Sequence, residues 1–199
     1  VGNSLGPAAY PSKIDVAVTM REGSNYAPIL ALKLDRETYR PGQTVRGRLT
    51  VRPFRQERRE VPVSFELPDD LPEGRHTLTV CGAGHALNAL MNEKPHRFRP
   101  RNRKQLLDAL AASVSLPGGK LYLRLPLPER GLAVGQRELP NLPASRAAVL
   151  QEARPLETAA YARALVRTQP SEYTPAGSAE ATFEVRKHPG QTPLSREGN

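Results

Sequence analysis

Leu34-Asp35-Arg36-Glu37-Thr38-Tyr39-Arg40-Pro41-Gly42-Gln43-Thr44-Val45-Arg46-Gly47-Arg48-Leu49-Thr50-Val51 is the stretch on which the fold turns. Pro41-Gly42 is turn chemistry, because proline presets φ and glycine accepts a positive φ. After the turn, Val45, Leu49 and Val51 point one way, while Arg46, Arg48, Thr50 and Arg52 point the other. Such alternation gives a strand with one buried face. The same pattern recurs at Val61-Pro62-Val63-Ser64-Phe65-Glu66-Leu67 and Arg75-His76-Thr77-Leu78-Thr79-Val80. Upstream it appears at Ile14–Met20 and Ile29–Leu34, and downstream at Leu121–Leu127 and Ala181–Val185. Tyr161–Thr168 fits a strand as well, though its alanines also allow a helix. Short alternating runs separated by turns predict a mainly β chain, folded as an antiparallel β-sandwich.

The pattern changes at Gly82. Ala86, Leu87, Leu90 and Met91 have helical spacing, as do Leu106, Leu107, Leu110 and Val114, with Asn102 placed to cap the second helix. A helical insertion over about 82–118 is therefore expected inside a β-sandwich region spanning 13–187. A two-domain chain with a boundary near 82 is the alternative. Pro126 and Pro128 place the end of the preceding strand at an edge or outside the sheet, and 129–143 reads as a Gly- and Pro-rich excursion. Ser145 caps a short predicted helix through Glu152. Residues 1–12 read as an arm or linker and 188–199 as a flexible tail.

Tyr39-Arg40-Pro41-Gly42-Gln43-Thr44-Val45, within Asp35–Val51, resembles the opening strand pair of bacterial immunoglobulin-like and macroglobulin-like domains. The match covers about fifty residues and implies a fold, an immunoglobulin-like β-sandwich, without an activity. A second likeness covers more of the chain. The order of Arg40-Pro41-Gly42, Val51-Arg52-Pro53-Phe54-Arg55, Leu67-Pro68-Asp69-Asp70-Leu71-Pro72-Glu73-Gly74 and Leu121-Tyr122-Leu123-Arg124-Leu125-Pro126 is similar to a region of some large bacterial proteins. That region lies C-terminal to a serine-peptidase module of the sporulation protein stage IV B type. The family's nucleophile motif, a serine between glycines after a methionine, does not occur here. The resemblances imply an exported protein, periplasmic or secreted.

Proline (20) and glycine (15) are plentiful beside a hydrophobic content of 38%, which suits a turn-rich β protein better than a helical one. The net charge of +9 permits contact with a polyanion, although solvated arginine-bearing strand faces are the simpler account. A single cysteine, Cys81, excludes an internal disulfide. No apolar run approaches the length of a membrane span. The chain opens on Val1 without a visible signal peptide, and is expected to be a piece of a longer precursor.

Three local features could carry chemistry. Cys81-Gly82-Ala83-Gly84-His85 joins a strand to a helix, where free N–H groups bind phosphate. The dinucleotide fingerprint needs a third small residue, and Leu87 stands there, so a plain strand-to-helix turn is the simpler reading. Cys81 is also a candidate nucleophile with His85 as its base, because a helix N-terminus lowers a thiol pKa; no third, orienting group is identifiable. As metal ligands, Cys81, His85 and the neighbouring His76 make a poor set for zinc. The second feature is the segment from Lys94 to Lys104, which holds six basic residues and no acid. Lys94, Arg97, Arg99, Arg101, Arg103 and Lys104 could track a phosphate backbone, with Phe98 stacking on a base; a solvated loop with Phe98 tucked beneath is the plainer account. The third, Asp69-Asp70, has the character of ordinary turn residues.

The expectation is thus a non-catalytic interaction or structural module, not an enzyme, with no cofactor and no metal. Its partner would be another protein or another domain of the same precursor. An accessory region of a serine peptidase and a polyanion-binding surface over 94–104 are the alternatives. Of the histidines, His76 on a strand and His85 at a helix start are expected to be held rigidly, His96 and His188 not.

Overall fold

At Arg40-Pro41-Gly42-Gln43 the chain reverses as its Pro-Gly pair requires. The Gln43 N–H donates to the Arg40 carbonyl at 3.1 Å, and Gly42 has φ +75°, the geometry of a type II turn. These details come from a computed structural model that describes residues 12–13, 15–18, 24–140 and 158–187. Around the turn the described elements are β1 (Tyr26–Leu34), β2 (Thr38–Tyr39), β3 (Thr44–Val51), β4 (Arg59–Glu66) and β5 (Gly74–Cys81). Helix α1 (Ala83–Glu93), a 3-10 turn (Pro95–Phe98) and α2 (Arg103–Val114) follow. The chain then forms β6 (Lys120–Val134), β7 (Arg137–Leu139), β8 (Thr158–Pro170), β9 (Thr174–Ala176) and β10 (Ser178–Val185).

The strands make two sheets. One has the order β4-β3-β1-β9; the other runs β2-β10-β5-β6-β7, with β8 on the second edge of β6. Val45, Leu49, Val51, Val63 and Phe65 of the first sheet join Leu78, Val80, Leu121, Leu123, Leu125, Phe183 and Val185 of the second in one buried cluster. The core therefore lies between two β layers, as in a β-sandwich. Most pairings are antiparallel, but β1–β9 and β2–β10 are parallel. Both parallel pairs arise where the chain changes sheet. β1 leads to β2 in the opposite layer, and β9 passes into β10 at Gly177, whose φ of +85° makes the corner.

The two helices lie between β5 and β6, which are neighbours in one sheet: Thr79, Val80 and Cys81 face Arg124, Leu123 and Tyr122. The insert covers the outer face of that sheet. Tyr122 and Arg124 are buried there, on the face opposite Leu121, Leu123 and Leu125, beneath α1.

Several expectations change. β6 does not end at Pro126 or Pro128 but continues to Val134, paired with β8 throughout, with a register shift between Leu127 and Arg130. On its other edge β5 stops at Arg124 and β7 begins at Leu132, so both prolines fall where that edge has no partner among the described residues. A missing N–H is tolerated at such an edge. The excursion expected over 129–143 is in part the end of this strand and a hairpin into β7. Tyr161–Thr168 lies within strand β8. Residues 15–18 form no strand, and Val16 and Val18 are 77% and 76% exposed. Alternation marks an apolar face but does not supply a pairing partner, and no described strand pairs with residues 15–18. The helix expected from Ser145 and the tail from 188 lie outside the described residues, as does the arm apart from Ser12.

Candidate functional site

Cys81 closes β5 and faces Ala86 and Tyr122 under α1, 1% exposed. Burial pushes its thiol up to about 11; nearby Arg124 pulls it down and Glu93 pushes it up. His85 is exposed on α1, and no hydrogen bond joins it to Cys81. The strand-to-helix junction keeps the thiol protonated and apart from the proposed base. Gly82, at the N-cap of α1, serves packing: a Cβ there would lie 2.0 Å from the Pro175 carbonyl oxygen of β9. Its N–H donates to the Gly177 carbonyl at 3.1 Å, so the backbone of the junction is tied to the strand corner.

The basic segment divides into three parts. Lys94 and Arg97 converge on Glu138 of β7, at 2.8 Å to Oε2 and 2.5 Å to Oε1. His96 joins them, Nε2 to Glu138 Oε1 at 3.2 Å, with its side chain only 3% exposed. Gln136 donates to the His96 carbonyl at 2.8 Å. Beneath this group lies Tyr161 of β8, its ring centroid 5.4 Å from that of His96 and 5.3 Å from the Lys94 ammonium. Gly131, opposite Tyr161 on β6, makes room for that ring; a Cβ would come within 2.4 Å of it.

Burial pulls the Glu138 carboxyl upward, but the hydrogen bonds and charges of Lys94 and Arg97 outweigh it and hold the group below the ordinary carboxylate value. For His96, burial lowers the pKa beneath the usual 6.5; the Glu138 bond opposes this, and Arg97 and Lys94 add to it. The imidazole is therefore neutral at neutral pH. With ionised Glu138 accepting from Nε2–H, the lone pair is on Nδ1, which is buried without a hydrogen-bond partner.

Arg99 and Arg101 form the second part. They line a cleft of about 210 Å³ together with His96, Gln105 and Gln136. Phe98 is half-buried at the end of the 3-10 turn. Arg103 and Lys104 form the third part, exposed in the first turn of α2, which contains no acidic residue. Asn102 caps this helix as its sequence predicts, its side chain accepting from the Gln105 N–H at 2.9 Å.

A second ion pair fixes the insert from the other side. Arg124 of β6, 5% exposed, donates to Glu93 at the end of α1. The two acids that hold the insert, Glu93 and Glu138, and the ring beneath it were missed in the sequence. Val134-Gly135-Gln136-Arg137 was the available signal for one of them, since a glycine in a two-residue loop marks a hairpin. Nothing local links Glu138 to His96. The histidines also need correcting: His76 is held, Nε2 to the Pro72 carbonyl at 2.8 Å and stacked on Phe183, but the other rigid ring is His96, not His85. Asp69 and Asp70 sit in the turn after β4, and no group of three or more His, Cys, Asp or Glu among the described residues is placed to hold a metal ion. Among the described residues no helix is long and apolar enough to cross a membrane.

Comparison with protein-family models, with curated proteins and with solved structures finds no match to this chain.

Proposed function

We propose that this chain is a non-catalytic interaction module, an immunoglobulin-like β-sandwich region of a larger exported bacterial protein. It presents its helical insert to a protein partner or to a neighbouring domain of the same precursor. The observation that carries this reading is the way the insert is held. Ion pairs at Glu93–Arg124 and at Glu138 fasten α1 and the 3-10 turn to the sandwich, while no residue of α2 is fully buried and Leu107, Leu110 and Val114 are exposed. A helix that follows a fastened segment and leaves its large apolar side chains exposed is suited to being touched by something else. The buried, protonated Cys81 supports the non-catalytic part of the reading. Resemblance to the region after a stage IV B type peptidase module supports a narrower version, in which the partner is that module.

The test is stability. Leu107→Ser with Leu110→Ser should leave the thermal unfolding midpoint nearly unchanged, within the roughly 0.5 kcal/mol typical of surface positions. A loss on the scale of a core cavity, about 2 kcal/mol or more, would make α2 part of the core and remove the basis of the proposal.

A second reading rests on the exposed Arg99, Arg103 and Lys104, which point to a polyanion. Retention on heparin that falls when these three become glutamine would favour it, with a steep salt dependence as its signature.

A further inference from the structure

The geometry points to the outer face of α2 as a docking site for an amphipathic helix with acidic residues at one end. This rests on the reading of the insert as a contact element.

The helix is inside out. At 100° per residue, Arg103, Leu107, Leu110 and Val114 share one face. Leu107, Leu110 and Val114 are 56%, 54% and 83% exposed. The half-buried positions are Gln105, Leu106, Ala109, Ala112 and Ser113, most of them small or polar. A surface helix ordinarily turns its large apolar side chains toward the core. Here only Leu106 does so. The spacing i, i+3, i+7 of the exposed residues is the seam along which a second helix packs, each side chain entering a gap on the partner.

Charge supplies an independent argument. Arg103 and Lys104 occupy the first turn, where the helix dipole already places partial positive charge; that turn holds no acid, and the one acid of α2, Asp108, is a turn further on. Arg99 stands just before them, also exposed. Carboxylates brought in by a partner would relieve this local repulsion while its leucines cover the stripe.

Other occupants fit less well. Three aliphatic side chains without an exposed aromatic are a small face for a lipid surface, where interfacial helices use broader apolar faces with Trp or Phe. A nucleic acid would meet the arginines and leave the leucines uncovered. A second copy would bring the basic first turn against its own kind in parallel packing, and against a last turn without an acid in antiparallel packing, between chains of net charge +9.

The experiment titrates the whole chain with two synthetic helical peptides. Both carry glutamates at one end; one has leucine at the a and d positions of each heptad, the other serine. Calorimetry should show wild type binding the leucine peptide at least about tenfold tighter than the serine peptide, the scale of a modest hydrophobic anchor. Leu107→Ser with Leu110→Ser should abolish that preference. Arg103→Gln with Lys104→Gln should weaken both peptides and flatten their salt dependence. Equal binding of the two peptides by wild type would overturn the inference, leaving charge alone at work. So would binding to phosphatidylglycerol vesicles without peptide preference, or self-association that the leucine variant abolishes. If the leucine variant keeps its melting temperature and wild type shows no preference, only this inference falls. If the variant loses its fold, the stripe is core and the interaction-module reading falls with it.

Discussion

Gly42 and Gly82 both resist a larger side chain, for different reasons. Gly42 holds φ +75° in the Pro-Gly turn, and a Cβ would also lie 2.3 Å from the Asp69 carboxylate oxygen. Gly42→Val should destabilise the chain by about 1–2 kcal/mol, the cost of left-handed backbone for a residue with a Cβ. An unchanged denaturant midpoint would count against the turn. Gly82 has ordinary extended backbone, φ −82°, so conformation is not its reason. The obstacle is the Pro175 carbonyl, a backbone atom that cannot rotate away. Gly82→Ala should cost about 1–3 kcal/mol by overpacking. Cys81, next to it, is protected twice, by burial and by its raised pKa of about 11. Raising the thiol by about two units leaves about 100-fold less thiolate, so a maleimide should label native Cys81 at least that much more slowly than a free thiol and rapidly after unfolding. Prompt labelling of the native chain would contradict the buried placement.

At the scale of elements, the hairpin β6–β7 and the segment 94–97 are held together by titratable groups, so their union depends on pH. The folded pKa values of both His96 and Glu138 are depressed. The unfolded chain therefore takes up each proton first as pH falls. For His96 the stabilising contribution is complete above its ordinary 6.5 and is lost as pH drops below that value toward the folded pKa. For Glu138 it is complete above the ordinary 4.5 and is lost below. Melting scans should show stability declining in two stages on acidification. His96→Gln should remove the upper stage and keep the lower. A stability profile of His96→Gln that still starts to fall just below pH 6.5 as in wild type would show that His96 is not the group responsible.

For the whole molecule, the joint between insert and sandwich rests on Arg124 and Glu93, with side chains 7% and 19% exposed. Glu93→Gln leaves a guanidinium buried without its counter-charge and should cost about 3–5 kcal/mol. Glu93→Leu with Arg124→Met should cost much less, because an apolar pair needs no such compensation. Equal losses in the two variants would mean that the joint is not electrostatic.

Local pattern by itself determined the β character, the Pro-Gly turn, the strands from β3 to β5, the two helices and the Asn102 cap. Each of these depends on neighbours within a few residues, through turn geometry, alternation or a cap hydrogen bond. Which face a residue shows to a covering element is another matter. Tyr122 and Arg124 alternate with leucines, as solvent-facing residues would, and are buried because α1 lies over them. Leu107, Leu110 and Val114 have core spacing and stand in solvent because α2 turns its smaller residues inward. His96 sits in a run of basic residues and is buried because Glu138, forty-two positions along the chain, folds onto it. Only the tertiary structure decided these, since burial and ion pairing are set by which distant elements pack together, and periodicity along the chain carries no record of the partner.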